Sequence, residues 1–152
     1  MALFRASLVL ALASGLALHA DTKLSRAAIS GDLTDAKSRI AAGEKVTDFD
    51  KWGWTALHWA VYYGQDKMAL WLLENGADAN AKTIKDYGDF KAGVTPLIFA
   101  GYYGHPEVAA ALLKQGARKD EQDGKGMTAM DYAKQWKFDA VITVLEAAPA
   151  KP

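Results

Sequence analysis

The chain has 152 residues, enough for about one domain, and its composition, half apolar and a quarter charged, excludes a disordered or low-complexity polymer. Its 18 basic and 18 acidic side chains cancel, and the absence of a basic excess or stripe argues against nucleic acid, whose binding rests on phosphate neutralisation. Without cysteine, the chain has no disulfide staples, thiolate metal sites or Cys nucleophiles, so packing alone must stabilise it.

Residues 1–20, MALFRASLVLALASGLALHA, place one charge, Arg5, ahead of an apolar run from Ala6 to Leu18. That is the form of a secretion signal, with cleavage expected after Ala20 or, where Gly15 suits the small-residue rule better, after Ala17. The alternatives are an uncleaved anchor and a buried first helix. The run is short of the roughly 20 residues that span a bilayer, so no stable membrane span is expected after the signal is removed. Loss of Arg5 leaves the charge nearly balanced. An export signal on a small chain that needs no cofactor looks bacterial and predicts a periplasmic or secreted protein.

Beyond the signal the sequence repeats. Trp54-Thr55-Ala56-Leu57-His58-Trp59-Ala60 returns as Val94-Thr95-Pro96-Leu97-Ile98-Phe99-Ala100 and as Met127-Thr128-Ala129-Met130-Asp131-Tyr132-Ala133. Thr95 and Thr128 are 33 residues apart, as are Leu24 and Leu57, while Thr55 and Thr95 are 40 apart, seven more than the period. Each unit closes on a leucine pair and a glycine, Leu72-Leu73 with Gly76 and Leu112-Leu113 with Gly116, of which Arg39 to Gly43 is a weaker copy.

The residues account for a helix pair in each unit. Thr55 is a helix cap, Ala56 and Ala60 permit close helix contact, and Gly64 ends the helix in a left-handed conformation. A second helix, about Lys67 to Glu74, should bury Met68, Trp71 and Leu72 and stop at Gly76, and the chain should then turn back as an extended finger. One such pair cannot cover its own apolar face, so neighbouring pairs must stack.

This pattern resembles the ankyrin family, whose 33-residue unit carries T-P-L-H-x-A, a leucine pair and a G-A-D-x-N-A ending, and in particular its short exported bacterial members. The resemblance covers roughly Asp21 to Glu146. It implies an all-α ankyrin-repeat solenoid over 21–148, with units at about 21–49, 50–82, 90–122 and 123–148, one finger lengthened at 82–92, and a tail at 149–152. Ser25, Arg26, Lys37 and Arg39 in the first unit, and Asp131, Lys134 and Lys137 in the last, are polar where inner copies are not, as end caps with a wet face require.

Ankyrin proteins hold ligands on finger tips and on the exposed positions of each first helix. Carried over by position, these are Lys51, Trp52, Trp54, Tyr62 and Tyr63 in the second unit and Lys91, Ala92, Val94, Tyr102 and Tyr103 in the third. In the fourth they are Gly124, Lys125, Met127, Gln135 and Trp136. Aromatic residues dominate binding hot spots, although the tyrosine pairs before Gly64 and Gly104 could instead fill space between helices, as Trp59 and Phe99 are expected to do. In the long finger Tyr87 and Phe90 flank a Gly88-Asp89 turn, placing aromatic groups beside this patch; surface insertions are also thermodynamically tolerated without use.

No catalytic chemistry is legible. His58 stands where the family's imidazole steadies the fingers, His105 opens a helix beside Pro106, and no metal-ligand spacing joins them. Asp48 with Asp50, and Asp120 with Glu121 and Asp123, read as solvated turn residues. No nucleophile elbow, phosphate loop or dinucleotide motif is present. The expectation is a monomeric non-enzyme without cofactor or metal that binds another protein. A self-protection protein that inhibits an exported hydrolase or toxin is the first alternative, and a glycan or cell-wall binder the second. An enzyme would need carboxylates converging on the concave side of the stacked units.

Overall fold

A computed structural model describes residues 23–148, and the signal and tail expectations lie outside them. Among the described residues there are eight helices in four antiparallel pairs: α1 (Lys23–Ser30) with α2 (Leu33–Ala41), α3 (Ala56–Tyr62) with α4 (Asp66–Glu74), α5 (Pro96–Tyr103) with α6 (Pro106–Lys114), and α7 (Ala129–Gln135) with α8 (Asp139–Ala147). First helices stack on first helices, α1 on α3 on α5 on α7, and the second helices α4, α6 and α8 form a parallel row. The chain is the all-α repeat solenoid that the 33-residue period predicts.

Each inner helix starts for a local reason. The Thr55 hydroxyl accepts from the His58 amide while His58 Nδ1 accepts from the Thr55 amide, a reciprocal capping box. Thr128 and Asp131 repeat it. Thr95 caps α5, with Pro96 at the first helical position, where its missing N–H costs nothing. His58 goes further. Its Nε2 lies 3.1 Å from the Ala81 carbonyl and 3.2 Å from that of Val94, so the imidazole, fully buried, ties its own helix start to both sides of the next finger. Because the Thr55 amide can only donate, Nδ1 must be the acceptor and Nε2 the protonated nitrogen.

The first helix ends on a left-handed residue, Gly64 at φ 69° and Gly104 at φ 76°; the last unit places Lys137 there at φ 57°. In each of the first three units, a side chain from the next unit's second-helix start packs over the helix-ending glycine. Gln65 covers Gly31 and donates to the Ile29 carbonyl, the His105 ring covers Gly64, and Phe138 covers Gly104. His105 also pairs with Asp66 at 2.9 Å, joining the second and third units.

The core runs through the stacked helices from Leu24 to Leu145. Of the second-helix residues expected inside, Met68 and Leu72 are buried and Trp71 is half-buried. Ser25, expected on a wet face of the first unit, is instead fully buried, because it occupies the register of His58 one period earlier. Arg26, Lys37, Asp131, Lys134 and Lys137 are exposed.

Candidate functional site

The face made by the fingers and first helices is built around rings. Trp54 lies 4.4 Å from Trp59, 4.8 Å from Phe99, 5.0 Å from Tyr87 and 5.4 Å from Tyr62, centroid to centroid. From Tyr62 the contacts continue to Tyr103 at 5.3 Å, to Tyr102 at 4.8 Å and to Trp136 at 5.6 Å. Most meet edge to face, the arrangement the ring quadrupole favours. One band of aromatic contacts thus crosses three units.

The structure separates the expected site residues by depth. Trp52, Tyr62, Tyr87, Tyr102 and Tyr103 are half-buried, and Trp136 is 41% exposed. Lys51, Lys91 and Lys125 are exposed; the Lys51 ammonium sits 5.6 Å over the Trp52 ring, and Lys91 pairs with Asp86. Four placements are corrected. Trp54, Tyr63, Phe90 and Val94 are buried rather than exposed, Val94 with its amide held by the Thr83 hydroxyl. Trp54 lies under the long finger, Tyr63 stacks on Trp59, and Phe90 turns inward onto Phe99 and Tyr102, since each has more apolar area to hide than a finger tip can leave in water. Trp59 and Phe99 are wholly buried.

Burial also governs the tyrosine hydroxyls. Tyr63 is pushed up to about 12, chiefly by burial, and Tyr62, Tyr87, Tyr102 and Tyr103 are raised by the same cause. The band therefore stays uncharged at neutral pH and presents phenolic donors and ring edges.

Asp50 and Asp123, expected as solvated turn residues, are buried, and they organise the fingers. One oxygen of Asp50 accepts the amides of Trp52 and Trp54, and the other accepts the Trp59 indole N–H at 2.6 Å. Asp123 accepts the amides of Lys125 and Met127, and the Tyr132 hydroxyl at 2.7 Å. The third finger has Phe90 in this register, facing Phe99, which carries no donor. Its two amides are met from within the insertion: Ala92 donates to Asp86 and Val94 to the Thr83 hydroxyl. The nine-residue step from each aspartate to the polar aromatic of its own helix was visible in the sequence; the buried end of the contact was not.

Similarity to known proteins follows this repeat. A family model for ankyrin repeats (3 copies) matches residues 5–83, just over half the chain, and one for ankyrin repeats (many copies) matches 57–113. Calmodulin-binding transcription activators 6 and 5 of Arabidopsis thaliana are each 62% identical over 34 residues, which is 22% of this chain and 4% of theirs. Calmodulin-binding transcription activator 4 of the same plant is 46% identical over 44 residues, 29% of this chain and 4% of its own. The chain thus spans only 4% of the length of these curated relatives, about one repeat. With its period, its capped helix pairs and the family matches in agreement, the chain belongs to the ankyrin-repeat family.

Proposed function

We propose that this ankyrin module binds one protein partner on the aromatic face, without catalysis, and does so outside the cytoplasm after export. Ankyrin repeats are protein-interaction modules, and the observation that carries the reading is the band from Trp52 to Trp136, half-exposed across three units. Half-buried tyrosine and tryptophan offer large contact area with little rotamer entropy left to lose. Asp50 and Asp123 are committed to amide, indole and phenol donors, which supports binding over acid–base chemistry. Among the described residues no His, Asp or Glu group is arranged to hold a metal, and no helix is long and apolar enough to cross a membrane. Periplasmic or secreted placement rests on the form of residues 1–20 alone. A self-protection role would use the exposed Gly88-Asp89 turn, since the aromatic residues beside it face the body.

The test is affinity capture from envelope extracts by residues 21–152, beside a triple variant with Trp52→Ala, Tyr102→Ala and Trp136→Ala. One protein retained by the native chain and lost by the folded variant supports the reading. Equal capture by both refutes this face. Retention of soluble glycan in place of protein, lost in the variant, transfers the face to a carbohydrate ligand.

A further inference from the structure

The seven extra residues do not project. Gly88 and Asp89 form a tight turn in which Tyr87 and Phe90 exchange backbone hydrogen bonds of 2.9 and 3.0 Å, and the turn lies back on the body. Its two ends are fixed. At one, the buried Thr83 is held by Val94 and Gly93; at the other, Phe90 is buried against Phe99 and Tyr102. Between them Ile84, Lys85, Asp86, Gly88 and Asp89 are exposed, and Tyr87 alone turns inward, within 5.0 to 6.2 Å of the rings of Trp52, Trp54, Trp59 and Tyr62.

Beneath it lies an unmet donor. The indole N–H of Trp54 is buried without a hydrogen-bond partner, whereas that of Trp59 beside it is held by Asp50. A buried donor left unpaired is a cost the closed form carries and an acceptor from outside would relieve. Apart from the Tyr87 ring itself and its backbone pairing with Phe90, the contacts that hold the segment down are few and exposed: Asp86 accepts from the Ala92 amide and from Lys91, and Lys85 donates to the Lys51 carbonyl. Such contacts contribute little and weaken with salt.

We propose that residues 85–89 form a strap whose Tyr87 ring occupies a slot lined by Trp52, Trp54, Trp59 and Tyr62, and that swinging it aside opens the slot to an aromatic side chain of the partner. Tyr87 defines the shape of the occupant, a planar ring entering edge-on among four others, and the Trp54 N–H, which Tyr87 leaves unmet, calls for a polar atom on it. Fixed ends and a lightly held middle make the motion local, so it draws on a small part of the stability of the whole. This inference rests on the aromatic face being the contact surface. Its test uses a small phenol and no partner, so its failure would leave that reading standing.

The experiment follows the indole N–H signals by NMR in the native chain, Asp86→Ala and Tyr87→Ala, measuring exchange with water and titrating with 4-methylphenol. In the native chain the Trp54 N–H should exchange about tenfold faster than that of Trp59, because local opening exposes only the former. Asp86→Ala, which releases the clasp and keeps the ring, should accelerate Trp54 exchange again while leaving Trp59 unchanged. In Tyr87→Ala, 4-methylphenol should shift the Trp54 signal and slow its exchange. Trp54 exchanging in step with Trp59 in both the native chain and Asp86→Ala would overturn the strap, whether or not Tyr87→Ala folds. A Trp54 signal in folded Tyr87→Ala that ignores the phenol would overturn the slot.

Discussion

Lowering the pH should loosen this solenoid through His58. Its imidazole is wholly buried, and burial, opposed more weakly by the Ala81 and Val94 carbonyls, lowers it from 6.5 to about 4. The folded chain therefore keeps His58 neutral at pH values where the unfolded chain has already bound a proton. Its contribution is fully present above 6.5 and is lost as the pH falls through the interval down to about 4. At 1.36 kcal/mol per unit, the loss reaches about 3 kcal/mol. Urea unfolding of the native chain and of His58→Gln, at steps from pH 8 to pH 4, measures it. Other titrating groups contribute alike to both curves and cancel in the difference. The native chain should be the more stable at pH 8, and its advantage should shrink by about 3 kcal/mol by pH 4. A difference that stays constant over this range, or a His58 imidazole signal titrating near 6.5 in the folded protein, would refute the reasoning.

The finger aspartates and their aromatic partners should behave as matched pairs. Tyr132→Phe should cost about 2 kcal/mol by removing one donor from a buried carboxylate. Phe90→Asp should cost about 3 kcal/mol or more, since Phe99 offers no donor, and part of that should return on adding Phe99→Tyr; chemical denaturation of the single and double variants gives the coupling. Gly101→Ala should destabilise by about 1–3 kcal/mol, because a Cβ there runs into the Ala129 carbonyl of the next unit. Lys137→Gly, at its left-handed backbone, should raise stability by about 1 kcal/mol in thermal or urea unfolding. Trp136→Ala should leave stability within about 0.5 kcal/mol while weakening partner binding, whereas Trp54→Ala should cost about 3–5 kcal/mol.

The repeat carried most of the fold into view. Threonine caps, helix-ending glycines and leucine pairs are local signals, and their 33-residue recurrence turns weak propensities into a strong prediction. Lys137 shows how far this reached: its register alone marks it as standing in for a glycine, and its φ is positive. The site was less legible because depth is not periodic. Trp52 and Trp54 flank the same glycine and both meet Tyr87, yet the first is half-exposed and the second buried, because Trp54 also packs on Trp59 and Tyr62 and on Phe99 of the next unit. Asp50 was misread for a similar reason: in the sequence it is one more turn aspartate beside Asp48, and only the Trp59 indole nine residues later makes it an interior residue.

The side chains laid over the glycines that end the first helices give the array an address system. Gln65 meets Gly31, His105 meets Gly64 while binding Asp66, and Phe138 meets Gly104. Each junction thus has its own chemistry, an amide, an imidazole beside a carboxylate, and an apolar ring. Units that look interchangeable by motif are therefore not interchangeable by position. Excising the third repeat would set Phe138 against Gly64 and leave Asp66 without its imidazole, so the order of the repeats is itself encoded, and lineages of this protein should diverge by substitution within units more readily than by shuffling them.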